Sequence, residues 1–191
     1  MSHASVLVRA ARKSRGLTQR ALADGGDLDQ GQVSRFEQGR DAEFSTIERL
    51  LAAAGHRLYS APTRRDDAAT IGSAIRLHLR EKDKHSALRE LIQLNDNLVA
   101  EHGLVRGVLA LAEPESTGDV AWDAALAALV ALRLGEEGLP APEWATSPVR
   151  RLTRRRTLDV DPADPIPEDS DVPPPFLERG VLVWADTFAS V

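Results

Sequence analysis

A chain of 191 residues is long enough for one large or two small domains, and its lack of Cys excludes disulfide and thiolate chemistry. No apolar run approaches the ~18–20 residues of a membrane span, and the first residues lack a signal peptide's cationic-then-apolar order, so a cytoplasmic protein without membrane contact is expected. The net charge of −5 is unevenly divided: residues 1–65 hold 11 Lys/Arg against 7 Asp/Glu, and residues 66–191 hold 13 against 22.

The periodicity predicts a first helix over Val6–Ser14. Thr18 and Asp29 then stand as N-caps of two further helices, each side-chain oxygen placed to accept from a free backbone N–H. Leu17 with Leu22, and Leu28 with Val33, flank these caps as hydrophobic staples. The second helix should fray near Gly25, and Asp27 must take a left-handed backbone in the turn. Gly39 supplies a left-handed C-cap to a ten-residue third helix, and Ser45 with Glu48 reads as a capping box opening a fourth helix over Thr46–Ala54. Two short helices meeting in a tight turn, the second with a polar outer face, have the size and shape of a head that enters a major groove.

On that face stand Gln30, Gly31, Gln32, Ser34 and Arg35, while Val33 and Phe36 face inward. Gln can pair with adenine and Arg with guanine, so Gln30, Gln32 and Arg35 are the candidate base readers. Gln19, at the first turn of the second helix, is placed for a phosphate. Arg40 could touch a phosphate or stand in solvated loop beside Asp41. Asp29, Asp41 and Glu43 put negative charge close to the path of the phosphates.

Four pieces of the chain, Gly16-Leu17-Thr18-Gln19, Leu22-Ala23, Val33-Ser34-Arg35-Phe36-Glu37-Gln38-Gly39 and Ile47-Glu48-Arg49-Leu50-Leu51, together resemble the phage-repressor-like (Xre) helix-turn-helix family. The resemblance covers about a third of the chain. It implies an all-α fold with a five-helix, lambda-repressor-like N-terminal domain over residues 1–62, a structural ion pair between Arg12 and Glu37, and a double-stranded DNA operator as partner. Gly26 and Asp27 depart from the family's usual aliphatic residue and Gly at the turn.

Beyond a charged link at Thr63–Asp67, residues 68–138 read as a helical block for dimerisation or a partner. Ile71, Ala74, Ile75 and His78 share one face, and Leu88, Leu91, Ile92, Leu98 and Val99 form another stripe around Asn95. A shorter apolar helix follows at Leu104–Ala112. Asp119–Glu136, carrying Trp122, Leu126, Leu129 and Leu132, is apolar nearly all round and should be buried on several sides or shared with a partner. A homodimer is expected to meet through Leu88–Val99 and Trp122–Leu132. His78, Glu81 and His85 align only if one helix runs through Asp83 and Lys84, so solvated or packed histidines outweigh a metal site. No nucleophile-plus-base arrangement or phosphate-cradling loop stands out, so no enzyme, metal or cofactor is expected.

From residue 139 to 191 Pro-rich, charged sequence forbids long helices, with Pro140, Pro142, Pro148, Pro162, Pro165, Pro167 and Pro173–Pro175. Arg150–Arg156 is basic and Asp159–Asp171 acidic. The arginines could form a nucleic-acid arm or neutralise the acidic stretch, the second being favoured. Gly180–Phe188 regains apolar character as a short strand or docked helix end. The order Trp122, Leu139-Pro140-Ala141-Pro142-Glu143-Trp144 and Pro175-Phe176-Leu177-Glu178-Arg179-Gly180-Val181 resembles Xre-type antitoxins paired with nucleotidyltransferase-like toxins. That second resemblance implies a toxin partner bound by the tail through Trp144, Phe176, Trp184 and Phe188. The alternative is a stand-alone regulator whose helical block dimerises or senses a ligand.

Overall fold

The computed structural model describes residues 3–161 and 163–189; Pro162 and the last residues of the tail lie outside them. The described residues hold ten α-helices, three short 3₁₀ turns and no strand, with one isolated bridge between Arg156 and Val181. The chain divides into two compact units, Met1–Pro62 and Thr63–Val191. The boundary expected at residues 138 and 139 therefore falls inside the second unit.

The first unit contains α1 (His3–Ser14), α2 (Gln19–Gly25), α3 (Gln30–Glu37) and α4 (Phe44–Ala53). Val8, Leu22, Val33, Phe36, Leu50 and Leu51 form its core, with the staple residues Leu17 and Leu28 packed against it. Thr18 accepts from the Ala21 N–H at 3.0 Å, and Asp29 accepts from the Gly31 N–H and closes a capping box with Gln32. Asp27 sits at φ 52° and Gly39 at φ 105°, so both turns take the left-handed backbone that their positions demand.

Three expectations need correction here. α3 has eight residues, because the Gly39 turn follows directly on Gln38. α4 opens at Phe44 behind Glu43, whose side chain makes no cap bond, so Ser45 lies inside the helix and forms no capping box. The described part of the first unit has four helices and not five: Gly55 at φ 74° stops α4, and Leu58–Pro62 run out extended and largely exposed. The fifth helix of the chain opens the second unit.

That unit comprises α5 (Ala68–Arg80), α6 (Lys84–Ala100), α7 (Gly103–Leu111), α8 (Val120–Gly135), α9 (Glu143–Thr146) and α10 (Pro174–Glu178), with 3₁₀ turns at Pro148–Arg150, Asp169–Asp171 and Ala185–Phe188. Its centre is α8, in which every residue from Ala121 to Val130 is buried. A helix that is apolar all round must be covered all round. α5, α6 and α7 supply part of that cover, and the segments after residue 139 supply the rest.

The tail is thus core and not a wrapping arm. Trp144 is 6% exposed, Phe176 0% and Phe188 2%, so three of the four aromatics expected to meet a partner are committed to this chain's own interior. Phe176 stacks on Phe188 with centroids 5.0 Å apart. The Trp144 indole N–H donates to the Ala110 carbonyl at 3.1 Å, and Arg179 donates to the Ala145 carbonyl at 2.6 Å. The end of the tail is clasped by Arg133, which donates to the Phe188 carbonyl at 2.7 Å and to Asn95 Oδ1. Trp184 remains half-buried, its N–H on the Pro165 carbonyl. Three arginines of the basic cluster are engaged within the unit: Arg155 pairs with Asp169, Arg156 with Asp119, and Arg150 lies over Trp144 and meets Glu113.

The stripes assigned to a dimer face are largely interior too, with Leu88, Ile92, Val99 and Leu132 half-buried. Leu91, Leu94 and Leu98 are 0% exposed, as are Trp122, Leu126 and Leu129. α5 ends at Arg80 and α6 begins at Lys84, so His78 and His85 do not share one helix, and His78 instead meets Glu90.

All three tryptophans lie beyond residue 62, so their fluorescence follows the second unit alone. Phe176→Ala should lower that unit's stability by about 3–5 kcal/mol. Trp184→Ala, at a half-exposed position, should cost clearly less. Urea midpoints from tryptophan fluorescence for the first, and from circular dichroism for both, check this; equal small losses would mean that the tail is not core.

Candidate nucleic-acid interface

The reading head is held by a buried ion pair. Arg12 on α1 donates from Nε to Glu37 Oε1 at 2.6 Å and from Nη2 to Oε2 at 2.8 Å, a two-pronged contact with side-chain exposures of 7% and 2%. Arg12 also donates to the Leu17 carbonyl at 2.8 Å. Gln19 completes the knot, its amide donating to Glu37 Oε2 at 2.9 Å. One carboxylate at the end of α3 therefore fixes α1, the α1–α2 link and the first turn of α2. Burial pushes the Glu37 carboxyl up from its ordinary 4.5, but the hydrogen bonds from Arg12 and Gln19 and the charges of Arg12 and Arg9 outweigh it and hold it below that value.

With α3 so anchored, Gln30, Gln32 and Arg35 stand exposed on its outer side, and Gly31 and Ser34 are half-buried between them. Gly31 serves by its smallness. A Cβ there would come within 3.0 Å of the Asp29 cap oxygen and 3.5 Å of the Arg35 guanidinium. Gln32 is engaged in this state, its Oε1 accepting from the Asp29 N–H at 3.2 Å. A bidentate contact to adenine uses both ends of the amide, so Gln32 must leave that bond to read a base.

Clefts flank α3 on both sides. One of about 460 Å³ is lined by Arg9, Lys13, Gln19, Ser34 and Gln38, with the Arg12–Glu37 pair at its floor. Its walls carry the positive charge of α1 and the polar end of α3, as a phosphate contact requires. Arg9 and Lys13 were missed in the sequence; with Arg12 they stand at i, i+3 and i+4 on α1, one side of the helix, and that was the available signal. Gln19 lies here as expected, yet its amide is already bonded to Glu37, so it positions the cleft as well as lining it. The other cleft, about 290 Å³, brings Gln32 and Arg35 together with Arg40, Asp41 and Glu43. Arg40 is exposed there beside Asp41, its backbone N–H bonded to the Arg35 carbonyl. A phosphate approaching that side meets both signs of charge.

Residues 8–55 match the family model described as Helix-turn-helix. The match takes in α2, the turn, α3 and α4 whole, together with most of α1. The first unit is an Xre-like helix-turn-helix domain, and the protein is a DNA-binding transcriptional regulator. No curated protein and no solved structure matches the chain. No helix among the described residues is long and apolar enough to cross a membrane.

Glu37→Gln should destabilise the first unit by about 3 kcal/mol near neutral pH, because it leaves Arg12 buried against a neutral partner. The lowered folded pKa means that the carboxylate's contribution is complete above about pH 4.5 and is lost as pH falls through the folded value. The gap between wild type and Glu37→Gln should therefore narrow on acidification, read from hydrogen exchange of amides in residues 3–62 between pH 3 and 7. A gap independent of pH would show that the pair is not ionised as described. Arg35→Ala, on the exposed face, should leave stability unchanged. It should cost about 1–3 kcal/mol of DNA binding at one base position and relax the choice there. An unchanged sequence preference would remove Arg35 from the readers.

Proposed function

We propose that this regulator is a sequence-specific repressor acting in the cytoplasm on a short double-stranded operator. Base edges are read by Gln30, Gln32 and Arg35. The DNA backbone is held by Gln19, Arg9, Lys13, Ser34 and Arg40. The observation that carries this reading is the placement of α3: its polar face is exposed between two clefts, one polar and one of mixed lining, while a buried two-pronged ion pair fixes its far end. The net charge of the reader, only +4 over residues 1–65, makes the phosphate contribution modest and places the weight on base contacts.

We further propose that the second unit acts by binding and not by catalysis. Its buried charged groups are committed to structure: Asp123 caps Ser116 and Thr117, and Arg106, Arg150 and Arg179 donate to backbone carbonyls. Its excess of acidic residues, 22 against 15 over residues 63–191, favours a protein ligand over additional DNA contact. In the finer form of this proposal the ligand is a toxin and the protein its antitoxin, repressing their shared operon. The support is the resemblance across Trp122–Val181, and binding would then use the folded acidic surface, since the aromatics of the tail are internal. A stand-alone regulator is the alternative, favoured by the same self-sufficient packing.

Selection from a random pool of duplexes should enrich one motif, and affinity for it should fall as salt rises from about 50 to 200 mM, by less than a reader with many phosphate contacts would lose. Enrichment of no motif would contradict the repressor reading. Tagged protein expressed with its neighbouring genes should retain one neighbour's product at equal stoichiometry; retention of none would leave the stand-alone regulator.

A further inference from the structure

The interior fate of α6 and α8 leaves the second unit with one apolar helix face that its own described residues do not cover. On α7, Leu104 is 86% exposed, Val108 45% and Leu111 66%. These positions, with Gly107, follow the i, i+3, i+4, i+7 spacing of a single helix face. The opposite face, Arg106, Leu109 and Ala110, is buried, and Arg106 spends its guanidinium on the carbonyls of Glu101, Arg133 and Val99. α7 therefore shows solvent no charge at all.

Gly107 is the second observation. It sits mid-helix without positive φ, and a Cβ there would meet nothing within 4 Å. Neither backbone strain nor crowding in this chain requires glycine at a place where glycine weakens a helix. A helix from outside crossing close at that point would.

We infer that the outer face of α7 is where two copies of this chain meet, crossing near Gly107. The inference rests on the repressor reading, which needs two readers on one operator. Charge and area both select a second copy. The unit is strongly acidic, so two copies attract only where charge is absent or paired. Each acid at the ends of α7 has its base: Glu101 with Arg65, Glu137 with His102 and Arg106, Glu113 with Arg150, and Glu115 with Arg76. The face is self-complementary about a two-fold axis. Its three side chains expose roughly 350 Å² per copy, a patch of functional size. At the apolar share of homodimer interfaces this implies a total near 1,100 Å², the low end for a specific contact. Such a dimer is weak in free solution, with a dissociation constant on the order of 10 µM, and is completed on DNA.

The test is sedimentation equilibrium of the full chain from about 1 to 100 µM, a range that brackets that constant. Wild type should pass from 20.7 kDa to twice that mass. Leu104→Asp/Leu111→Asp should weaken dimerisation about 100-fold, as loss of interface anchors does, with an unchanged circular dichroism spectrum. Gly107→Leu adds no clash within the chain and favours the helix, so it should keep or raise the melting temperature while weakening the dimer about 10-fold. A wild type that stays monomeric, or variants that dimerise like wild type, would overturn the proposal. A motif duplex with one half scrambled separates this from the repressor reading. Monomeric variants that bind it as wild type does, but lose cooperativity on the intact motif, support both. A chain that dimerises through α7 yet binds no duplex would sink the repressor reading alone.

Discussion

The Arg12–Glu37 pair is the constraint on which the reader depends. Two ions out of water at 7% and 2% exposure are stable together only while their geometry is kept, and either one alone would be a buried, uncompensated charge. The pair therefore acts less as glue than as a gauge. It admits one crossing of α1 over α3, and Gln19 extends that tolerance to the start of α2. The direction in which Gln30, Gln32 and Arg35 point follows from a carboxylate on the far side of their helix. The same pair floors the cleft that holds Arg9 and Lys13, so the exposed face of α3 and that cleft share one anchor.

The second unit solves a different problem. α8 is apolar on every side, and three neighbouring helices cannot enclose it. The Pro-rich segment completes the enclosure with short pieces in place of a long helix. Each is pinned by a polar bond at its end: Trp144 to Ala110, Arg179 to Ala145, and Phe188 to Arg133. Proline limits these pieces to one or two turns and sets φ in advance, so chain that reads as unstructured can be ordered at reduced entropic cost. What remains outside is an acidic surface and one uncharged helix face.

Much of the first unit was legible in the sequence because its signals are local. The caps at Thr18 and Asp29, the staples, the strained Asp27 and the Gly39 turn each depend on residues within four positions, and all appear where the chain specifies them. The Ser45 box failed because α4 begins one turn earlier than its apolar pattern, at a Glu43 that offers no cap bond. The exposed polar residues of α3 were visible from helical spacing, whereas Arg9 and Lys13 required knowing which face of α1 meets Glu37. In the second unit the helices were legible and their partners were not. A Trp or Phe near the end of a chain has the same local signature whether it fills another protein's pocket or its own core. Only the stacking of Phe176 on Phe188, 12 residues apart, decides between them. The stripes expected to meet a second copy misled for the same reason: Leu91 and Trp122 looked surplus until the tail was seen to share their core.

Reading of DNA by α3 under the control of Glu37 can be followed in the backbone amide shifts of the whole chain titrated with the duplex enriched from a random pool. The largest changes should fall at Gln19, at Gln30–Arg35 and around Arg40, with Glu37 itself moving little because its bonds are already made. Changes centred beyond residue 62, or absent from Gln30–Arg35, would contradict reading by α3.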